Sequence, residues 1–114
     1  MRRWTMSLQS KTANLLTICR KAGKLVMGFD SVKEELIKGR AECILTASDT
    51  SPKTLKEVEF LCTKRGREVY KTDLTIAEIS HLIGKNAAVI AVCDKGFAKR
   101  FLEYRAQEEQ HNIL

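Results

Sequence analysis

Apolar residues recur along the chain in short segments of alternating period, with glycines 23, 28, 39, 66, 84 and 96 as punctuation. Between Ser10 and Ala22, the residues Leu15, Leu16, Cys19 and Ala22 fall at helical spacing, and Gly23 follows where a left-handed residue ends a helix. Lys24 to Met27 is short and apolar enough to be a strand. Gly28 then opens a second helix, whose Phe29, Val32, Leu36 and Ile37 are expected to face inward until Gly39 stops it. Cys43 to Ala47 reads as a buried strand, and Ser51 as N-cap with Pro52 at the first helical position starts a third helix. Leu55, Val58, Leu61 and Cys62 form its apolar stripe, up to Gly66. Glu68 to Lys71 is a third strand, and Asp73 or Thr75 caps a helix bearing Ile76, Ile79, Leu82 and Ile83. Ala87 to Cys93 is apolar throughout, as a strand covered on both faces should be. A last helix from about Gly96 carries Phe97, Phe101 and Leu102, then turns polar, so fraying is expected after Gln107.

One helix followed by four strand-helix units predicts an α/β fold, its mixed or parallel sheet covered by helices on both faces. The length of 114 residues and the apolar share of 44% suit one packed core, hence a single domain over 1–114 with frayed ends at 1–10 and 108–114. Function in such folds gathers on the loops at one end of the sheet.

The longest apolar run, Ala87 to Cys93, is far too short to span a bilayer, which needs roughly 18 to 20 residues. Gln9, Lys11 and Asn14 interrupt any signal-peptide core after the basic start, so the chain reads as mature and cytoplasmic. Its four cysteines, Cys19, Cys43, Cys62 and Cys93, are unevenly spaced in apolar segments, with His81 and His111 as the two histidines. That pattern indicates neither a metal site nor another cofactor; the thiols read as small buried hydrophobes in a reducing compartment.

Charge changes the picture more than composition does. Residues 1–24 hold Arg2, Arg3, Lys11, Arg20, Lys21 and Lys24 and no acid, while the other fourteen lysines and arginines are matched by fourteen acids. The whole net charge of +6 is therefore N-terminal. Such a one-signed block attracts a polyanion such as nucleic acid, although a solvated basic helix accounts for it equally well.

Tests for catalysis mostly fail: there is no G-x-G-x-x-G, P-loop, G-x-S-x-G or clustered carboxylate pair. Asp49 and Asp94 follow strands and are read as starting loops and capping what comes next. The segment Lys24 to Lys33 differs, because Gly28 places bare backbone before a helix N-terminus flanked by lysines, a setting attractive to phosphate.

Many short pieces then line up in order. They are Leu15-Leu16, Arg20-Lys21-Ala22-Gly23-Lys24-Leu25-Val26, Gly28 with Asp30 and Val32, and Gly39-Arg40-Ala41. Further on come Asp49 with Ser51, Ile83-Gly84-Lys85, and Asp94 to Lys99. With them, residues 11 to 103 resemble the kink-turn-binding ribosomal protein family of the L-seven-Ae and L-thirty-e type, most closely its small bacterial YlxQ-like branch. The resemblance implies a three-layer α/β/α sandwich with a four-stranded mixed sheet. It also implies a noncatalytic protein that grips a sharply bent RNA internal loop through the start of its second helix and the loop before its last strand.

On this chain those places are Gly28 to Glu34 and Gly84 to Ala88. The family pattern opens the second helix with Gly-Thr-Asn-Glu and a lysine three residues later; by position these fall on Gly28, Phe29, Asp30, Ser31 and Glu34. Gly28 alone is retained. Asp30 lacks the amide donor of Asn, Ser31 reaches less far than Glu, and Glu34 is negative where a cation is expected, which weakens a standard kink-turn contact. Lys33 lies about 100 degrees round the helix and substitutes only in part.

The expected RNA-binding set is Gly28, Asp30, Ser31, Lys33, Glu34, Lys85, Asn86 and Ala87, with Arg20, Lys21 and Lys24 attracting phosphates. For the basic clusters Lys64 to Arg67 and Lys95 to Arg100, a solvated surface is the plainer account. The expected partner is structured RNA, ribosomal or another, bound by a monomer; the alternative is an adaptor docking on a protein of the ribosome, transcription or translation.

Overall fold

A computed structural model describes residues 8–113, with side-chain surroundings over 9–110. The elements are α1 (Leu8–Lys21), β1 (Leu25–Met27), α2 (Phe29–Ile37), β2 (Cys43–Thr46), α3 (Pro52–Arg65), β3 (Glu68–Lys71), α4 (Ile76–Ile83), β4 (Val89–Val92) and α5 (Lys95–Ile113). The strands form one sheet in the order β1-β4-β2-β3, where β2 pairs with β3 in parallel and β4 runs antiparallel to both β1 and β2. The mixed sheet is as expected. Arg2 and Arg3 lie outside the described residues.

Every residue of the central strands β2 and β4 is buried, whereas the edge strands β1 and β3 are only partly so. Alternation along β4 splits its apolar run between two cores. Ile90 and Val92 join Leu15, Leu16, Cys19, Ile79, Ile83 and Phe101 of α1, α4 and α5 on one face. Val89 and Ala91 join Val32, Leu36, Val58 and Cys62 of α2 and α3 on the other. The result is the α/β/α sandwich.

Local chemistry sets the boundaries. Ser51 Oγ accepts from the Thr54 amide at 3.3 Å ahead of Pro52, and Thr75, rather than Asp73, closes a reciprocal cap with Glu78. Asp94 Oδ2 accepts from the Phe97 amide at 2.9 Å and so caps α5, while Asp49 Oδ1 accepts from the Ile76 amide at 2.8 Å, serving a helix distant in sequence. At the end of α2, the Gly39 and Arg40 amides donate to the carbonyls of Leu36 and Glu35, a turn that Gly39 permits with φ 75°.

One expectation gives way. Ile37 is 50% exposed, because α2 ends at Ile37 and the buried stripe is already complete at Val32 and Leu36. Helix α5 runs past Gln107 to Ile113, and Glu108 Oε2 accepts from the Tyr70 hydroxyl at 2.9 Å. Among the described residues no helix is long and apolar enough to cross a membrane.

Candidate nucleic-acid interface

The start of α2 is built by one glycine. Gly28 extends the β1–β4 ladder by a residue, its amide donating to the Val89 carbonyl at 3.0 Å, and its carbonyl accepts from Val32 at 2.9 Å. Its φ of 97° and ψ of 143° lie where residues with a Cβ are strained, and no side chain caps the helix behind it. The first amides of α2 thus lack a side-chain acceptor, at the positive end of the helix dipole.

The segment before β4 meets this place through the same strand. Gly84 closes α4 with φ 75°, Lys85 and Asn86 are exposed, and the Ala88 carbonyl accepts from the Ala47 amide at 2.9 Å and Thr50 Oγ1 at 3.4 Å. Residues 84–88 therefore enter β4 between the start of α2 and the turn after β2. Ala87 is the exception among the expected contacts: it is only 5% exposed and packs in the core with α1, α4 and α5, so its side chain cannot touch a ligand.

On α2 the exposed polar side chains are Asp30, Ser31, Lys33 and Glu34. Among the described residues Lys33 enters no ion pair, but Glu34 Oε1 accepts from Lys38 Nζ at 2.8 Å, one turn on. Arg40 grips Glu35 through two hydrogen bonds of 2.9 and 2.8 Å, which with its charge hold the Glu35 carboxyl below its usual range. Lys38 and Arg40 are the cations that sequence reasoning missed. The Glu34-to-Lys38 spacing announced one of them; the other depends on the turn at Gly39.

The N-terminal block stands elsewhere. Arg20, Lys21 and Lys24 are exposed, but α1 lies on the face of the sheet opposite to α2. Lys24 precedes β1 and Gly28 follows it, which puts about 13 Å of extended chain between them. Arg20 is also partly engaged in structure, donating from Nε to the Ile83 carbonyl at 3.2 Å and so anchoring the end of α4 beside Gly84. Arg20 thus stands beside the segment before β4, and Lys24 a strand's length from Gly28. No cluster of three or more His, Cys, Asp or Glu residues suited to a metal occurs among the described residues.

The family model of the ribosomal protein L7Ae/L30e/S12e/Gadd45 family matches residues 10–102, nearly the whole described chain. This chain belongs to that family. Within it, the chain is 36% identical over 89 residues to the RNA-binding protein YlxQ of Bacillus subtilis (strain 168), covering 77% of this chain and 88% of the relative. It is 30% identical over 95 residues to the RNA-binding protein YlxQ of Enterococcus faecium, covering 83% and 91%. The fold superimposes on a Bacillus halodurans protein of unknown function with a TM-score of 0.79 and 25% identity, over 84% of this chain and 97% of that one. It superimposes on a Giardia lamblia 15.5kD RNA binding protein with a TM-score of 0.71 over 93% and 91%; at 13% identity, that likeness speaks for the family fold alone.

Proposed function

We propose that this protein is a noncatalytic RNA-binding protein of the ribosomal-protein type, recognising a bent, kink-turn-like internal loop with the start of α2 and residues 84–88. The observation that carries the reading is the junction of Gly28 with Val89, which joins a glycine-dependent, uncapped helix start to the exposed Lys85 and Asn86. A backbone without a Cβ at that junction lets a ribose or base come close, and free amides with Lys33 and Lys85 supply hydrogen bonds and positive charge. Both YlxQ relatives carry RNA binding in their names, which supports the ligand class.

Asp30, Ser31 and Glu34 tune the site away from a standard kink-turn. The variant Asp30→Asn/Ser31→Glu/Glu34→Lys restores a donor, an acceptor of longer reach and a cation. One good base contact is worth about 1 to 3 kcal/mol, so the variant gains at least about tenfold in affinity for a kink-turn. The test is a titration of wild type and variant against a kink-turn and a straightened control duplex at one fixed salt concentration. Equal binding of both RNAs by both proteins defeats the reading and favours an adaptor that docks on protein.

A further inference from the structure

The cations of α1 lie on the layer opposite to α2. Lys11, Asn14, Ile18 and Lys21 fall at intervals of three or four residues and so share one side of α1. That side borders a groove of about 200 Å³ between α1 and α5, lined by Lys11, Asn14, Leu15, Ile18, Arg100 and Tyr104. Ile18 is 52% exposed on it, and Tyr104 is half-buried, packed on the core below. No carboxylate lines the groove. The four ion pairs among the described residues all lie elsewhere, on α2 and around β3, and leave Lys11, Lys21 and Arg100 without an acidic partner.

An apolar floor with part of an aromatic ring, set between unpaired cations, is complementary to a ligand that is both flat and polyanionic. Unpaired nucleotides have this chemistry, with a π-face for the ring and a phosphate for each cation. A base inside a duplex is already stacked and cannot reach the ring. The groove is also below the roughly 300 to 1,000 Å³ of a typical small-molecule pocket, so it suits one base rather than a larger compound.

We propose that the α1/α5 groove is a second RNA contact, which takes an unpaired segment flanking the structured element held at the α2 end. The base packs against Tyr104 and Ile18, and neighbouring phosphates meet Lys11, Lys21 and Arg100. This rests on the RNA-binding reading above but not on kink-turn recognition.

The test is fluorescence anisotropy at one low salt concentration, with a kink-turn hairpin and a straightened hairpin, each blunt or with a uridine tail of about twelve nucleotides. The tail tightens wild-type binding at least about fivefold. Lys11→Gln/Arg100→Gln abolishes that gain while leaving affinity for the blunt hairpin nearly unchanged. Tyr104→Leu abolishes it too, whereas Tyr104→Phe retains it; the Lys11/Arg100 pair carries the test if the half-buried Leu variant melts early.

A tail without effect on wild type overturns the proposal even if the hairpins are discriminated, and so does a gain that survives Lys11→Gln/Arg100→Gln. Hairpins bound alike with the tail effect intact defeat kink-turn recognition and uphold the groove. If polyglutamate competes as well as polyuridine, the groove takes an acidic protein segment and the nucleic-acid assignment falls.

Discussion

Glu34 carries a charge that Lys38 offsets. The pair is 2.8 Å apart with both side chains about half exposed, and such i,i+4 pairs stabilise by only about 0.3 to 0.5 kcal/mol. In the free protein Lys38 cancels the carboxylate, and for an approaching phosphate the carboxylate cancels Lys38. Glu34→Gln therefore removes one negative charge and releases one positive charge, at a stability cost of no more than about 0.5 kcal/mol. The expected outcome is roughly threefold tighter binding to structured RNA at low salt, with the slope of log affinity against log salt steeper by about 1. Affinity measured across a salt series checks this, and an unchanged slope would mean that Lys38 lies beyond phosphate reach.

At the scale of the element, α2 owes its entry angle to Gly28. A Cβ built on Gly28 meets nothing within 4 Å, so the cost of Gly28→Ala is conformational rather than steric, about 1 to 3 kcal/mol. Gly66, at φ 66° and ψ 33°, ends α3 in the left-handed helical region, where alanine costs about 1 kcal/mol. Urea unfolding should rank Gly28→Ala as the more damaging. Gly66→Ala should leave RNA affinity intact while Gly28→Ala weakens it, because relieving the strain turns the first turn of α2 away from Val89. Equal and small losses in both would show that this entry does not position the site. Most helix boundaries are legible in the sequence, since glycine, proline and the Ser51 and Thr75 caps act locally. What escaped was non-local. The exposure of Ile37 follows from where α2 stops, the burial of Ala87 from the packing under α4, and the strand order from pairings between β4 and two strands far away in sequence. Gly28, Lys33 and Lys85 stand out as candidate site residues by their types and neighbours. That α1, with Lys21, covers the face of the sheet opposite to α2 does not, because periodicity tells that a helix is amphipathic but not which face of the sheet it covers.

The molecule as a whole has its thiols in both layers, which makes them reporters of how the layers are coupled. Cys19 and Cys43 sit in the core under α1, α4 and α5, and Cys62 in the core under α2 and α3. Burial pushes the Cys19 and Cys43 thiols up to about 12 and Cys62 to about 11, with the charge of Asp94 adding to the effect at Cys19. Because these folded values are raised, the native state keeps protons that the unfolded chain begins to lose near 9.0; their contribution to stability is whole below that pH and fades as pH climbs toward 11 and 12. Labelling at about pH 8 thus probes the fully stabilised protein, where these three sites react only through opening, since the thiolate is the nucleophile. The half-buried Cys93 should react first. The two cores share β2 and β4, every residue of which is buried on one face or the other, so neither layer can open without exposing the sheet beneath the second. Mass spectrometry of pulse-labelled protein across a urea series should therefore find Cys19, Cys43 and Cys62 becoming reactive at one midpoint, coincident with loss of far-ultraviolet dichroism. Reaction of Cys62 at lower urea than Cys19 would mean that α2 and α3 peel away as a unit, leaving the proposed RNA-binding helix mounted on a layer that opens by itself.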